Sequence, residues 1–139
     1  MARTTFSGPV ISSNGFITDH APTSVNAINA TATATAAQVA TGYITSTSAA
    51  ATAITLPTGT LLGATLSATQ GTVLDLFVDN TAGASTVTMV VATNGILSTA
   101  AADTPGSFGD LTIAAGATGL ACFRIMFSSA TAYVFTRTA

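Results

Sequence analysis

The chain has no lysine, no glutamate and no tryptophan, and its 139 residues include a single histidine (His20) and a single cysteine (Cys122). Formal charge is confined to Arg3, Arg124, Arg137, Asp19, Asp75, Asp79, Asp103 and Asp110, or 6% of the chain. A typical soluble domain carries about 25%. Each absence excludes something. Three arginines neutralise at most three phosphates, a salt slope of about −2.7, so no nucleic-acid partner is expected. One cysteine rules out an intrachain disulfide framework. Metal or nucleophilic chemistry needs several convergent ligands or a base beside a nucleophile, and one histidine with one cysteine supplies neither, so no enzyme, cofactor or metal is expected. Without tryptophan, and with only Tyr43 and Tyr133, the stacking platforms that sugar-binding sandwiches use are scarce.

Long apolar runs are missing too, although mean hydropathy is +0.61. Thr, Ser, Gly or Pro interrupts every run well short of the roughly 18 residues a spanning helix needs, so no membrane segment is expected. The first residues contain no apolar core of a secretory signal, and the chain reads as a soluble product made in the cytoplasm.

What is present is alanine and threonine, 28 of each, with 12 serines. Threonine favours strands, and the usual helix-surface formers Glu and Lys are absent. An apolar share of 48% with a net charge of −2 argues against disorder. The expected fold is all-β, with little helix.

Three regions follow along the chain. Residues 1–20, with "ARTTFSGPVISSNGFITDH", form an extended arm; it has no helical period, and Asn14-Gly15 marks a turn. Residues 21–41 are an Ala/Thr-rich connector, whose "ATATATA" suits either an extended linker or a solvated strand. Residues 42–139 contain short β-branched runs: "GYITSTS", "ATAITLP", "TVLDLFVD", "STVTMVVA", "DLTIAAG", "GLACFRIMF" and "TAYVFTRT". Turn residues punctuate them at the spacing of a sandwich or barrel. "LLGATLSAT" (61–69) reads as a helical turn or a bent strand.

The strand period assigns faces. Leu74, Leu76 and Val78 point inward, against an outer face of Val73, Asp75, Phe77 and Asp79. Phe123, Ile125 and Phe127 point inward, leaving Leu120, Cys122 and Met126 around Arg124. Two strands apolar on both faces exceed what a lone small sandwich buries, so Val73, Phe77, Leu120 and Met126 are the candidate oligomer interface. Cys122 also reads as a small buried hydrophobe, and Asp103 with Asp110 as a weak cation candidate. Asp75 and Asp79, about 13 Å apart along a strand, are too far apart for a catalytic carboxylate pair.

The opening "ARTTFSGPVISSNGF" and the cadence "ITLPTGT…GTVLDLFVDNTAG…STVTMVV…LTIAAGATG" resemble the head decoration, or capsid cement, proteins of tailed bacteriophages. The short strands and turn spacing of residues 42–139 lead to the expectation of a jelly-roll-like β-sandwich, and the resemblance implies a homo-oligomer, commonly a trimer, on the outer capsid surface of the virion. There it bridges and stabilises major capsid proteins without catalysis. In that reading the arm is a strap, with Arg3, Phe6, Pro9, Val10 and Phe16 as its capsid contacts. A tail-fibre or baseplate β-module, or a carbohydrate-binding sandwich, are the alternative expectations.

Overall fold

A computed structural model describes residues 26–97 and 110–139. The arm, and with it Arg3, Phe6, Pro9, Val10, Phe16 and His20, lies outside the described residues, as does Asp103. The chain builds β1 (Ala32–Thr33), α1 (Ala36–Ala40), β2 (Tyr43–Thr45), β3 (Thr52–Thr55), α2 (Gly59–Leu66) and β4 (Val73–Asp79). It continues through β5 (Val87–Val90), β6 (Gly95–Leu97), β7 (Thr112–Ile113), a 3-10 turn (Gly116–Thr118), β8 (Leu120–Ser129) and β9 (Ala132–Arg137). The molecule is mostly β, as its composition demands.

Two sheets form, ordered β1-β3-β5-β7 and β2-β4-β8-β9-β6. Up to β8 each successive strand enters the opposite sheet, so the chain coils around the core. From β1 to β5 a strand and the second one after it run the same way, which gives the parallel pairs β1–β3, β3–β5 and β2–β4. Strand β6 also lies parallel to β9. Pairs β4–β8, β8–β9 and β5–β7 are antiparallel, and β8 and β9 form a hairpin around Ala130 and Thr131.

One hydrophobic core joins the inner faces. Ile54, Val87, Met89 and Ile113 from the four-stranded sheet meet Leu76, Val78, Phe123, Ile125, Tyr133 and Phe135 from the five-stranded sheet. Phe123 stacks on Phe135 with ring centroids 4.9 Å apart, and Phe127 meets Tyr133 edge to face at 5.9 Å. Such ring pairs add about 0.5–1.5 kcal/mol to the burial itself.

The stretch expected as a connector (21–41) is, over its described part, folded into this domain. Ile28, Ala34 and Val39 are buried in the core. Thr35 caps α1: its hydroxyl accepts from the Gln38 N–H at 3.2 Å, and the Gln38 side chain accepts from the Thr35 N–H at 2.8 Å. This reciprocal cap lets a five-residue helix form without a charged residue. Residues 26–28 also cover the edge of β2, with the Ile28 N–H donating to the Thr45 carbonyl at 2.9 Å.

The segment read as a helical turn or bent strand is the helix α2. Thr58 caps it, accepting from the Leu61 N–H at 3.3 Å, and Ser67 ends it in the left-handed region at φ 50°. Gly59 and Gly63, one turn apart, face the β8–β9 hairpin. A Cβ on Gly63 would overlap the Ala130 carbonyl oxygen, and one on Gly59 the Thr131 carbonyl oxygen. Two glycines on one face let the helix lie directly on that turn.

Hydroxyls replace charge at the corners. Between β2 and β3, the Ser48 hydroxyl donates to the Ala50 carbonyl at 2.8 Å and the Thr52 hydroxyl donates to the same carbonyl at 3.1 Å. Asn80 closes the adjoining corner, where the Ser46 N–H donates to the Asp79 carbonyl at 2.8 Å. It is fully buried, and its Nδ2 donates to the Ser85 and Ala114 carbonyls, both at 2.9 Å.

Candidate functional site: the outer face of the five-stranded sheet

Cross-strand register arranges this face in rows. Val73 pairs with Met126, Met126 with Val134, and Val134 with Ile96, an apolar row across four strands. Next along the strands comes a polar row, Asp75, Arg124 and Thr136. Beyond it lies a second largely apolar row, Tyr43, Phe77 and Cys122. Thr45, Asp79 and Leu120 form the last. The inner alternates of the same strands are core residues, so strand pleating alone holds these side chains outward.

The apolar members are open to solvent. Val73 and Leu120 are 53% exposed, Ile96 58% and Phe77 44%. Met126 is half-buried, so three of the four residues expected at an interface are exposed and the fourth is partly covered. Register brings Val73 and Met126 into direct opposition. Phe77 and Leu120 lie on neighbouring strands one row apart, and the polar row separates Phe77 from Val73 and Met126. Tyr43, Val134 and Ile96 belong to the same face and escaped the sequence reading, because only the pairing of β2 and β6 places them there. Cys122 departs from its expected burial: it is half-exposed on this face, opposite Phe77.

The face carries one arginine and two aspartates, each held by its own hydrogen bonds. Arg124 grips Asp75 with two parallel bonds, Nε to Oδ1 at 2.7 Å and Nη2 to Oδ2 at 2.9 Å. The guanidinium holds the Asp75 carboxyl below the usual carboxylate range. Asp79 is likewise lowered, first by the Thr81 hydroxyl at 2.6 Å and then by the Tyr43 hydroxyl at 2.6 Å. Donating to that carboxylate raises the Tyr43 phenol above its ordinary value. The two carboxylates thus have separate partners, in keeping with their spacing along β4.

Asp110 does not lie open for a cation. Its carboxylate accepts from Arg137 Nη1 at 3.2 Å, and the same nitrogen donates to the Thr112 carbonyl at 3.0 Å. Arg137, at the end of β9, thereby ties the five-stranded sheet to β7 of the other. Among the described residues no group of three or more His, Cys, Asp or Glu side chains is placed to hold a metal ion. No helix among them is long and apolar enough to cross a membrane.

A groove of about 520 Å³ lies elsewhere, between β1, the end of β3 and α2, lined by Thr33, Ala34, Leu56, Pro57, Leu61 and Thr65 among others. Its lining among the described residues is alanine, leucine, proline and threonine, without an acid, base or cation. Comparison with family models, curated proteins and solved structures gives no match.

Proposed function

We propose that this chain is a non-enzymatic structural protein of a tailed-phage virion, one that binds the outer capsid surface and stabilises it by bridging major capsid proteins. The observation that carries the reading is the outer face just described: exposed Val73, Phe77 and Leu120 on a chain with no lysine or glutamate. Such a surface suits a protein that spends its life inside an assembly, where neighbours rather than ions cover it. The resemblance of the arm and of the β-domain cadence supplies the virion context, with self-association as a homo-oligomer.

The jelly-roll-like expectation belongs to this proposal. Two sheets enclosing one core support it in layering, while the four parallel strand pairs are a departure from an antiparallel jelly roll.

The arm completes the proposal. Residues 2–20 extended reach about 60 Å at about 3.3 Å per residue, enough to cross onto a neighbouring capsid subunit. Phe6, Pro9, Val10 and Phe16 supply the apolar contacts of this strap and Arg3 its one permanent cation. The test is co-sedimentation with undecorated capsids. The full chain is expected to pellet with them and to stay bound as salt rises, because an apolar and main-chain grip is weakly screened. The chain lacking residues 2–20 is expected to fold and to remain in the supernatant. Equal binding by the truncated chain overturns the strap, and no binding by the full chain to any capsid overturns the virion reading.

A further inference from the structure

We infer that the outer face of the five-stranded sheet pairs with the same face of a second copy, about a two-fold axis that runs along the strands between β4 and β8. The inference rests on reading this face as a self-contact, and it goes further by fixing the partner, the symmetry and the facing residues. It also departs from the trimer implied by the resemblance: one flat, self-complementary face closes with two copies.

The charges choose the axis. A two-fold axis across the strands, along the polar row, would set Arg124 against Arg124 and Asp75 against Asp75 of the partner subunit. An axis along the strands maps β4 over the partner's β8 and keeps each row at its own level. Arg124 then faces Asp75 of the partner subunit, and Asp75 faces the partner's Arg124. Two side-by-side pairs become a closed ring of four alternating charges. The guanidinium has five N–H directions and spends two on its own Asp75, so donors remain for the second carboxylate. The two apolar rows match as well: Val73 lies over the partner's Met126, and Phe77 over the partner's Cys122. In the last row Asp79 comes over the partner's Leu120, with its carboxylate kept by the Thr81 and Tyr43 hydroxyls of its own chain.

The overlap is small. The axis lays β2, β4, β8 and β9, of 3, 7, 10 and 6 residues, over their counterparts, roughly 19 by 22 Å at about 4.8 Å between strands and about 3.4 Å per residue. That is about half of the roughly 800 Å² per partner of a standard interface, so the facing charges must carry much of the pairing. Facing sheets that pack about 10 Å apart leave room for the Arg124 side chain between them.

Sedimentation velocity on the full chain tests the pairing. A dimer at micromolar concentration is expected; a monomer or a trimer overturns it. Asp75→Arg leaves two arginines in the polar row and Arg124→Asp leaves two aspartates, so each variant alone is expected to pair about 30-fold or more weakly than the wild type. Mixed one to one, the two variants are expected to form a heterodimer, because every facing pair is then opposite in sign. An ion pair that acts only within each chain cannot restore association this way. Failure of the mixture to associate, with both variants giving wild-type circular dichroism, overturns the facing of the two polar rows. Phe77→Ser keeps the ion pair and is expected to be monomeric with wild-type circular dichroism and to lose the concentration dependence of the melt; a dimer as tight as the wild type overturns the face. Capsid binding is read separately: a dimer that ignores capsids leaves the pairing standing and removes the virion role, and a capsid-binding monomer does the reverse.

Discussion

Gly63 lies so close to Ala130 that a methyl group on its Cα would overlap the Ala130 carbonyl oxygen. The helix α2 and the β8–β9 hairpin therefore meet backbone to backbone. Gly63→Ala raises helix propensity by about 1 kcal/mol, yet it must push the helix off the turn, and overpacking of this kind costs about 1–3 kcal/mol or more. The expected result is a net loss of about 1–2 kcal/mol in chemical denaturation. Ala64→Ser, on the exposed side of the same helix, is expected to change stability by less than about 0.5 kcal/mol.

Asn80 holds a corner by its amide nitrogen. Nδ2 donates to the Ser85 and Ala114 carbonyls, with a longer contact to Ile113 at 3.4 Å, while Oδ1 is buried with no hydrogen-bond partner among the described residues. Asn80→Ala orphans those carbonyls and is expected to cost about 2–4 kcal/mol in denaturant unfolding. Asn80→Asp is expected to be worse at neutral pH, since it sets a carboxylate among carbonyl oxygens. Acidification is expected to recover part of that loss as the protonated acid regains a donor, and a deficit constant with pH would refute the role of the amide.

The alternation of faces was legible in the sequence because β4, β8 and β9 are long enough to show a period of two. Leu76 and Val78 are buried and Val73 and Phe77 exposed, as the pattern requires. Pairing was not legible. Nothing local in "GYIT" or "NGIL" says that the first lies parallel to β4 and the second parallel to β9, since both follow from the chain coiling between sheets. Val39 was hidden for another reason: one valine among small residues has no period, and its burial depends on the Thr35–Gln38 cap forming a helix there. Arg137 and Asp110, 27 residues apart, meet only when the two sheets close.

Acid titration distinguishes the two carboxylates of β4. Both have folded pKa values below their unfolded ones, so the stability they contribute is full above the unfolded carboxylate value and is lost as pH falls through the lowered one. Exposure and solvent screening keep that contribution small. Arg124→Gln is expected to move the Asp75 titration back up toward the ordinary range and to leave Asp79 where it is, because Thr81 and Tyr43 hold Asp79. Carbon-detected NMR of the two carboxyls reads this directly; movement of both together would mean that they share one environment.

Tyr133 gives the alkaline counterpart. Its ring is fully buried between the sheets, and its hydroxyl donates to the Pro57 carbonyl at 3.1 Å, joining β9 to the segment that leads into α2. Burial pushes its phenol up to about 12, with the Ala92 backbone offsetting part of the rise. Because the folded value lies above the unfolded one, the stabilisation is full below about pH 10 and is lost as pH rises through about 12. Phenolate absorbance is expected to show Tyr133 ionising together with unfolding rather than before it. Tyr133→Phe removes the donor but keeps the ring against Phe127, and is expected to cost about 1–2 kcal/mol by leaving the Pro57 carbonyl unpaired. Its unfolding at alkaline pH is expected to lack the steep dependence expected of the wild type between about pH 10 and 12. If the variant keeps that dependence, the proton linkage belongs to another group and the buried hydroxyl is not its source.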